Sequence, residues 1–386
     1  MAPTAVDAVA VCNARVVTEH GVLDDAVVHL EEGRIAALSA SVGSAPAVDW
    51  GGDLLMPGLV DVHTDNLERH FMPRPGAAWD PVGAAIAHDG QTAAAGVTTV
   101  FDSISLHGVK DGLDRGRALP EMIGGVDDAR RQGLLRVEHL LHLRCEVSAD
   151  DLVPQLASFV HHPQLCMLSV MDHTPGQGQY RDLESLRARL LAAGKGEAEI
   201  AAEFAEFEAA RDPQRTRARR RAVSGIARDR GIALASHDDA EPADVRFAAE
   251  IGCDIAEFPV TEAAARAARE AGMVTVLGAP NFVRGGSHSG NVSVRDLAEA
   301  ELVDAICSDY VPLSMVRVLF QLTEPPFGWP LHRAVALGTT HAARLAGLED
   351  RGTVAPGQRA DLLRVRHTVG RWPLVAEVWC AGRRVA

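Results

Sequence analysis

The sequence lacks the signals of a secreted or membrane-bound protein. Its six cysteines are scattered with no Cys-x-x-Cys pair, which indicates buried, reduced thiols in a cytosolic protein. No apolar run reaches the roughly 18 residues that a membrane span needs. The amino terminus shows no basic-then-apolar signal pattern. We therefore expect a cytoplasmic protein with no membrane partner.

Positive charge is also scarce. The formal net charge is −14 and the pI is about 5.6. A general nucleic-acid binder presents a basic face, so we expect no nucleic-acid partner. An anionic small substrate stays compatible, because a site can be locally basic. The 386 residues, 47% of them apolar, allow a sizeable core, and either about two or three domains or one barrel with an appendage fits this length.

Residues 57–68 carry the pattern around which the chain is organised. A Pro57-Gly58 break precedes the apolar run 59–62, which predicts a buried strand. His63 and Asp65 follow at its carboxyl end, and alternate residues of an extended chain point to the same side. These two side chains can therefore converge on one metal ion. The spacing alone is weak evidence, because three histidines in this sequence have a carboxylate two positions later.

From residue 57 onward, apolar runs alternate with helix-like stretches, which predicts parallel strands connected by helices. Eight strands are expected, the number in a (β/α)8 barrel. They are near Val60–His63, Val97–Ser103, Leu140–Glu146, Leu165–Asp172, Ile232–His237, Asp254–Phe258, Val274–Gly278 and Ala305–Asp309. Polar or ionisable residues stand at the carboxyl ends of several strands, where barrels keep their chemistry. They include Asp102, Glu146, His173, His237 and Asp309.

The chain ends differ from the middle. Residues 1–56 and 351–386 read as short strands and turns, and we expect them to form one small β-sandwich around the barrel segment 57–350. A charged helical stretch at about 176–230 reads as an insertion between barrel strands. Its run of arginines from Arg215 to Arg221 fits either a solvated helix face or contact with an anionic substrate or partner.

This arrangement resembles the amidohydrolase superfamily. The shared features are the amino-terminal β unit, the Pro-Gly-x-x-Asp-x-His strand at 57–63, the barrel, and the closing Pro-Gly-x-x-Ala-Asp-Leu segment at 356–362. Longer sequence motifs resemble those of the PhnM family, a member of that superfamily from the carbon–phosphorus lyase pathway. They stand at 65–70, 74–76, 88–89, 94–102, 143–146, 171–179, 236–239, 278–281, 284–291 and 308–310. The resemblance covers nearly the whole chain.

The resemblance implies a metal-dependent hydrolase of phosphonate catabolism. It would cleave α-D-ribose 1-methylphosphonate 5-triphosphate, a phosphorylated small molecule, to the 5-phosphate and pyrophosphate. An amidohydrolase acting on a C–N bond, such as a cyclic-amide hydrolase or a deaminase, stays open as an alternative. A metal-free scaffold is a third reading. Homo-oligomers are common for this barrel type, so association is compatible with the resemblance.

The resemblance also implies a binuclear centre of two divalent ions, Zn, Fe or Mn. The implied ligands are His63, Asp65, Glu146, His173, His237 and Asp309. His63 and Asp65 would bind the first ion, Glu146 would bridge in place of a carboxylated lysine, and the other two histidines would bind the second. Asp309 would touch the first ion and accept a proton from the attacking water as general base. Asp238 and Asp239 are interpreted as supporting or loop carboxylates.

Phosphate binding is predicted for the Gly-rich loop 284–291. Such loops can present backbone N–H groups to an anion, and an arginine adds a planar fork that matches phosphate oxygens. An ordinary flexible loop is the alternative. The predicted substrate-binding residues are Arg284, Gly285, Gly286, Ser287, His288 and Asn291, with Arg144 and Arg69 as further candidates.

Overall fold

The computed structural model describes residues 8–110, 113–287 and 290–386. The strands are β1 Val9–Val17, β2 Val22–Glu31, β3 Arg34–Ser39, β4 Ala47–Asp49, β5 Leu54–Pro57, β6 Leu59–Thr64, β7 Val97–Ser105, β8 Val109–Lys110, β9 Leu113–Asp114, β10 Glu138–Glu146, β11 Leu165–Met171, β12 Ala233–His237, β13 Ile255–Glu257, β14 Val274–Gly278, β15 Ala305–Cys307, β16 Leu362–Arg366, β17 Leu374–Cys380 and β18 Arg383–Arg384.

The α-helices follow the strands along most of the chain. They are α1 Asn66–Phe71, α2 Pro81–Ala94, α3 Arg115–Arg131, α4 Leu152–Ala157, α5 Leu183–Ala192, α6 Glu197–Ala210, α7 Pro213–Arg230, α8 Pro242–Glu250, α9 Glu262–Glu270, α10 Ala279–Arg284, α11 Val294–Glu299, α12 Leu313–Gln321, α13 Leu331–Ala336 and α14 Thr340–Leu345. A short 3-10 turn spans Gly178–Tyr180. No helix within the described ranges is long and apolar enough to cross a membrane.

All eight predicted barrel strands are present in one sheet. Their order is β6, β7, β10, β11, β12, β13, β14, β15, and the paired strands run parallel. A parallel bridge between Thr64 and Asp309 joins β6 to the segment that follows β15. The strands are buried along nearly their whole length, which explains why apolar residues occur on both of their faces. The predicted (β/α)8 architecture is confirmed.

Strands from both chain ends form a second sheet, in the order β18, β17, β16, β5, β1, β2, β3, with β4 paired to β1. The closing segment 356–362 is held in this sheet by backbone hydrogen bonds. Gly357 N–H donates to Ile35 O at 2.8 Å, and Ala360 N–H donates to Gly33 O at 2.9 Å. Leu362 then pairs with Pro57, directly before the first barrel strand. The two ends of the chain therefore meet where the barrel begins.

The chain divides into two compact units. The first comprises Met1–Asp102, Pro120–Leu140 and Ala305–Ala386, and the second comprises Ser103–Leu119 and Leu141–Asp304. In the first unit, Gly58 lies so close to Thr98 that an added Cβ would stand 2.2 Å from the threonine Oγ1. The glycine of the Pro-Gly break is therefore required by this close approach, because any larger residue would push β6 away from β7.

In the second unit, helix α7 packs against α4, β11 and β12, while α5 packs against α6. The arginines of α7 have structural partners. Arg219 donates to the carbonyls of Val147 and Ser148 at 3.1 and 2.9 Å, and Arg221 bonds Glu250 at 3.0 Å. Arg217 and Arg221 both lie over the Phe247 ring. These contacts favour the interpretation of a helix face that packs on its own unit.

Candidate metal centre

In the first unit, strands β6 and β15 hold His63, Asp65 and Asp309 together through their backbones. The Asp65 N–H donates to Asp309 O at 2.7 Å, and the Asp309 N–H donates to His63 O at 3.0 Å. Asp309 has a φ of 54°, in the left-handed region that a side chain rarely adopts. Such conformations persist where neighbours determine them and are common at functional sites. These two backbone hydrogen bonds fix the relative positions of the His63, Asp65 and Asp309 backbones, from which the three side chains extend.

The side chains of this first group are largely buried. The Nε2 of His63 lies 3.6 Å from an Asp65 carboxylate oxygen, and the two side chains are 1% and 12% exposed. Asp61, two residues before His63, is buried as well and accepts the Ser308 N–H at 2.9 Å. Burial raises the pKa of Asp61 to about 6, although the Ser308 hydrogen bonds oppose the rise. Asp61 therefore supports the ends of both strands from beneath the candidate ligands.

In the second unit, Glu146 at the end of β10 holds His173 in place. The His173 N–H donates to the Glu146 carboxylate at 3.2 Å, and His173 Nδ1 lies 2.9 Å from Glu146 Oε2. Ser148 also donates its hydroxyl to this carboxylate, at 3.1 Å. Burial raises the pKa of Glu146, but the bonds from His173 outweigh burial and the net change is downward. Glu146 therefore stays ionised and orients the imidazole.

Asp238, interpreted from the sequence as a supporting or loop carboxylate, contacts both predicted histidine ligands. Its Oδ2 lies 3.3 Å from His173 Nε2 and 3.1 Å from His237 Nδ1. The two imidazole rings meet edge to face, with centroids 5.5 Å apart. Asp238 has a φ of 58°, so the chain turns at the end of β12 and brings this carboxylate back toward His237. We call Glu146, His173, His237 and Asp238 the His173 cluster.

The protonation of the His173 cluster follows from its carboxylates. Burial lowers the pKa of His173, but Asp238 and Glu146 outweigh it and raise the value to about 9. Burial raises the pKa of Asp238, and the two histidines bring it below its usual range. Burial is the main reason that the pKa of His237 is lowered. One carboxylate oxygen facing two imidazole nitrogens is an arrangement of donors that suits a cation.

A different group of histidines and carboxylates lies in the first unit. We call His88, Asp89, Asp102 and His139 the His88 cluster. His88 Nε2 and His139 Nδ1 lie 2.8 and 2.9 Å from the two oxygens of Asp102. The oxygens of Asp89 accept the backbone N–H groups of Arg136 and Val137, at 2.7 and 3.0 Å. Asp102 was expected among the polar residues at strand ends. Both of its carboxylate oxygens contact histidine side chains.

The predicted phosphate loop follows helix α10 in the second unit. The N–H groups of Gly285 and Gly286 donate to Asn281 O at 3.1 Å and so end the helix. Gly285 takes the left-handed conformation, with a φ of 81°. Arg284 is exposed, while Ser287 and Asn291 are half-buried. His288 lies outside the described residues. Two of the expected amide donors are therefore committed to the helix end.

The remaining predicted arginines differ in environment. Arg69, on α1 of the first unit, is exposed and donates to Tyr310 O at 3.3 Å, next to Asp309. Arg144, on β10 of the second unit, is only 6% exposed. Its positive charge contributes to lowering the pKa of His237, so the guanidinium lies within electrostatic range of that ring. Each arginine therefore lies near one of the predicted ligands of its own unit.

The residues present fit divalent ions. Ligand atoms of His173, His237 and Asp238 all lie within 4.8 Å of one another, and mixed imidazole and carboxylate donors suit Zn, Fe or Mn. The contact between Glu146 and His173 Nδ1 is of the kind that fixes a histidine ring for metal binding. His63 and Asp65 offer the same mixed donor types in the first unit.

Comparison with known proteins identifies the relatives of this chain. Residues 54–385 match the model of the amidohydrolase family. The chain is 37% identical over 375 residues to the alpha-D-ribose 1-methylphosphonate 5-triphosphate diphosphatase of Escherichia coli (strain K12), covering 97% of this chain and 99% of that protein. It is 26% identical over 400 residues to an imidazolonepropionase of Deinococcus deserti, covering 94% and 92%.

A solved structure confirms the fold. The N-acetylglucosamine-6-phosphate deacetylase of Pasteurella multocida aligns with a TM-score of 0.64 at 12% identity, over 98% of this chain and 99% of that one. Proteins of this family generally use divalent metals, and the histidine and carboxylate groups described above could bind them. The match across most of the chain and the shared fold lead to one conclusion: this protein belongs to the amidohydrolase family.

Proposed function

We propose that this protein is a metal-dependent diphosphatase of phosphonate metabolism. Its substrate is α-D-ribose 1-methylphosphonate 5-triphosphate, which it cleaves between the α and β phosphorus atoms to give the 5-phosphate and pyrophosphate. The observation that carries this proposal is the 37% identity to the Escherichia coli enzyme over 97% of the chain. The match spans nearly the full length of both proteins, which supports a shared activity.

The proposed metal ligands belong to two groups, which are His63, Asp65 and Asp309 in the first unit and the His173 cluster in the second. They stand at or just after the carboxyl ends of β6, β10, β11, β12 and β15, which belong to one parallel sheet. Barrels keep their chemistry at the carboxyl ends of their strands, which supports these residues as ligands. The proposed ligands of two ions are His63, Asp65, Glu146, His173, His237 and Asp309, to which Asp238 is added.

Bound divalent ions would supply positive charge to the phosphoryl oxygens and acidify the attacking water. The protein's own residues do the rest. The Asp309 carboxylate accepts the proton from this water as its oxygen attacks the α-phosphorus. The bond from that phosphorus to the bridging oxygen breaks, and the electron pair leaves with pyrophosphate. The backbone bonds between Asp309, His63 and Asp65 hold the base in place during this step.

Binding of the phosphates needs further cations, because carboxylates surround the site. We propose that Arg284 with the loop residues Ser287, His288 and Asn291 contacts the substrate, together with Arg69 and Arg144. The Gly285 and Gly286 amides close helix α10, so their contribution is to turn the loop rather than to donate to phosphate. Arginine is suited to this role because its planar fork matches two phosphate oxygens.

The proposal is tested by product identification with the metal-reconstituted protein. Phosphorus NMR of the reaction should show pyrophosphate and the 5-phosphate as the only products from the 5-triphosphate. Asp309→Asn should keep the fold and lower turnover by about 10²- to 10⁴-fold, the usual contribution of a general base. Release of orthophosphate, or near-normal turnover in the variant, would overturn the cleavage position or the role of Asp309 respectively.

A second candidate function is hydrolysis of a C–N bond in a small cyclic substrate. The 26% identity to imidazolonepropionase over 94% of the chain favours it. The same metal-reconstituted protein can be offered imidazolone propionate and the ribose 5-triphosphate side by side. Turnover of the imidazolone alone would replace the diphosphatase proposal and leave the metal centre unchanged.

A further inference from the structure

We infer that Arg189, positioned by stacking on Tyr180 in the segment between β11 and α6, binds the pyrophosphate leaving group of the substrate. This inference rests on the proposed diphosphatase function and identifies a specificity element for it. Sequence reasoning left this part of the chain without a role. Both residues belong to the second unit, as do His173 and Asp238.

The loop that carries Tyr180 is packed directly onto the His173 cluster. A Cβ added to Gly178 would stand 3.1 Å from Asp238 Cβ and 3.3 Å from Asp172 O. Gly178 itself has a φ of 48°, so only glycine combines this turn with this close approach. Asp172 steadies the start of the loop by accepting the Thr174 N–H and hydroxyl at 3.1 and 2.6 Å. The loop is therefore built to lie against the site.

Tyr180 of this loop stacks with Arg189 of helix α5. The Tyr180 ring lies 5.9 Å from the His173 ring, centroid to centroid. The Arg189 guanidinium carbon lies 5.1 Å from the Tyr180 centroid, a cation–π distance. The Tyr180 ring therefore lies next to both the His173 imidazole and the Arg189 guanidinium.

The charges in this region explain why a cation is needed. Glu146, Asp172 and Asp238 all stand at the carboxyl ends of second-unit strands or just after them. A polyphosphate that approaches these carboxylates is repelled unless cations offset them. Arg189 is half-buried in the last turn of α5, and stacking on Tyr180 limits its rotamers before substrate arrives. A preorganised guanidinium binds phosphate oxygens at a lower entropic cost than a mobile one.

The test measures binding of magnesium pyrophosphate to the manganese-reconstituted protein by titration calorimetry. Arg189→Ala should weaken this binding by about 10- to 100-fold, the usual effect of losing a hydrogen bond to a charged group. Arg189→Lys should recover only part of the affinity, because it keeps the charge and loses the fork. Tyr180→Phe should bind as the unaltered protein does, and Tyr180→Leu should bind about 2- to 5-fold more weakly.

Arg187→Ala is the matched control. Arg187 lies on the same helix, is 52% exposed and pairs with Glu197. The Arg187→Ala variant should bind pyrophosphate with the same affinity as the unaltered protein. Equal affinities for Arg189→Ala and Arg187→Ala would overturn the inference, even if the 5-triphosphate is still cleaved. Conversely, an unaltered protein that cleaves no 5-triphosphate would remove the proposed function, while the affinities would still show whether Arg189 binds pyrophosphate.

Discussion

The His173 cluster and the His88 cluster contain the same kinds of residues and differ in how these residues are satisfied. In the His88 cluster, each Asp102 oxygen has its own imidazole nitrogen, at 2.8 and 2.9 Å. Asp89 is satisfied by two backbone N–H groups and by the Arg136 guanidinium. In the His173 cluster, one oxygen of Asp238 instead faces two imidazole nitrogens, at 3.3 and 3.1 Å.

Access to solvent separates the two clusters as well. The His88, Asp89, Asp102 and His139 side chains are at most 3% exposed, whereas His173 and Glu146 are 18% and 12% exposed. In the closed His88 cluster both carboxylates are paired, so removing one partner would leave a buried charge uncompensated and destabilise the fold. A partly open cluster with converging donor atoms can take up an ion and meet a substrate. Residue type alone therefore does not identify a metal centre.

Of the changes that distinguish the two clusters, His237→Ala is expected to have the largest effect. Removing one ligand of the His173 cluster should lower bound metal and reduce turnover by more than about 100-fold, beyond the usual effect of residues that only support a ligand. Elemental analysis after dialysis measures the metal. The control is His139→Gln, in the His88 cluster. This variant should bind as much metal as the unaltered protein. Equal metal losses in both variants would break the distinction.

The next effect concerns stability. Asp102→Asn leaves the His139 imidazolium buried without its main counter-charge, since Asp102 raises the pKa of His139 to about 9 despite burial. Breaking a buried pair of this kind costs about 3–5 kcal/mol. Urea unfolding at pH 7 measures the change. Asp150→Asn, an exposed carboxylate paired with Arg215, should leave the midpoint nearly unchanged. A similar midpoint for both variants would contradict the stabilising role.

The pH dependence of stability tests the same pair. The pKa of His139 in the folded protein, about 9, lies above the ordinary histidine value of 6.5, so the contribution of His139 to stability is complete below about pH 6.5 and is lost as the pH rises through 9. The Asp102 pKa is depressed by His139 and His88, so its contribution is lost in acid instead. The free energy of unfolding should fall by on the order of 2–3 kcal/mol between pH 6 and 9.5.

His139→Gln is the comparison for this pH dependence. It should show a flatter profile between pH 6 and 9.5 than the unaltered protein, because glutamine does not titrate. Parallel profiles for the two proteins would show that His139 is not the group responsible.

A smaller effect is expected from Asp238→Asn. An amide keeps the shape of the side chain and loses its charge, so the affinity for the metal should fall by about 10- to 100-fold. Competition with a chromophoric chelator measures this affinity. Asp239→Asn is a close control, since burial raises the pKa of Asp239 to about 6 and its carboxylate lies outside the His173 cluster. Equal affinities in the two variants would remove Asp238 from the ligand set.

The barrel could be predicted from the sequence because its strands are buried on both faces. Such strands carry apolar residues on both faces, and all eight appear within a few residues of their predicted positions. The pairing of the two chain ends could also be predicted, from the Pro-Gly motifs that begin at residues 57 and 356. Hydrogen bonds between Gly357, Ala360 and the strands near Gly33 give these motifs their physical basis.

The candidate site could be predicted only in part from the sequence, for two physical reasons. Asp238 reaches the His173 cluster because its φ of 58° breaks the alternation of an extended strand, and spacing rules assume that alternation. The His88 cluster joins a helix to two strands, with Asp102 separated from His139 by 37 positions, so no local pattern announces it. Both features depend on tertiary packing, which the sequence does not state locally.

The most direct test of the proposed function is hydrolysis of the 5-triphosphate in ¹⁸O-labelled water, followed by phosphorus NMR. Attack at the α-phosphorus places the label in the ribose 5-phosphate, and the account predicts an isotope shift on that signal alone. A label in pyrophosphate would show attack at the β-phosphorus and would contradict the arrangement proposed for Asp309 and the metal centre.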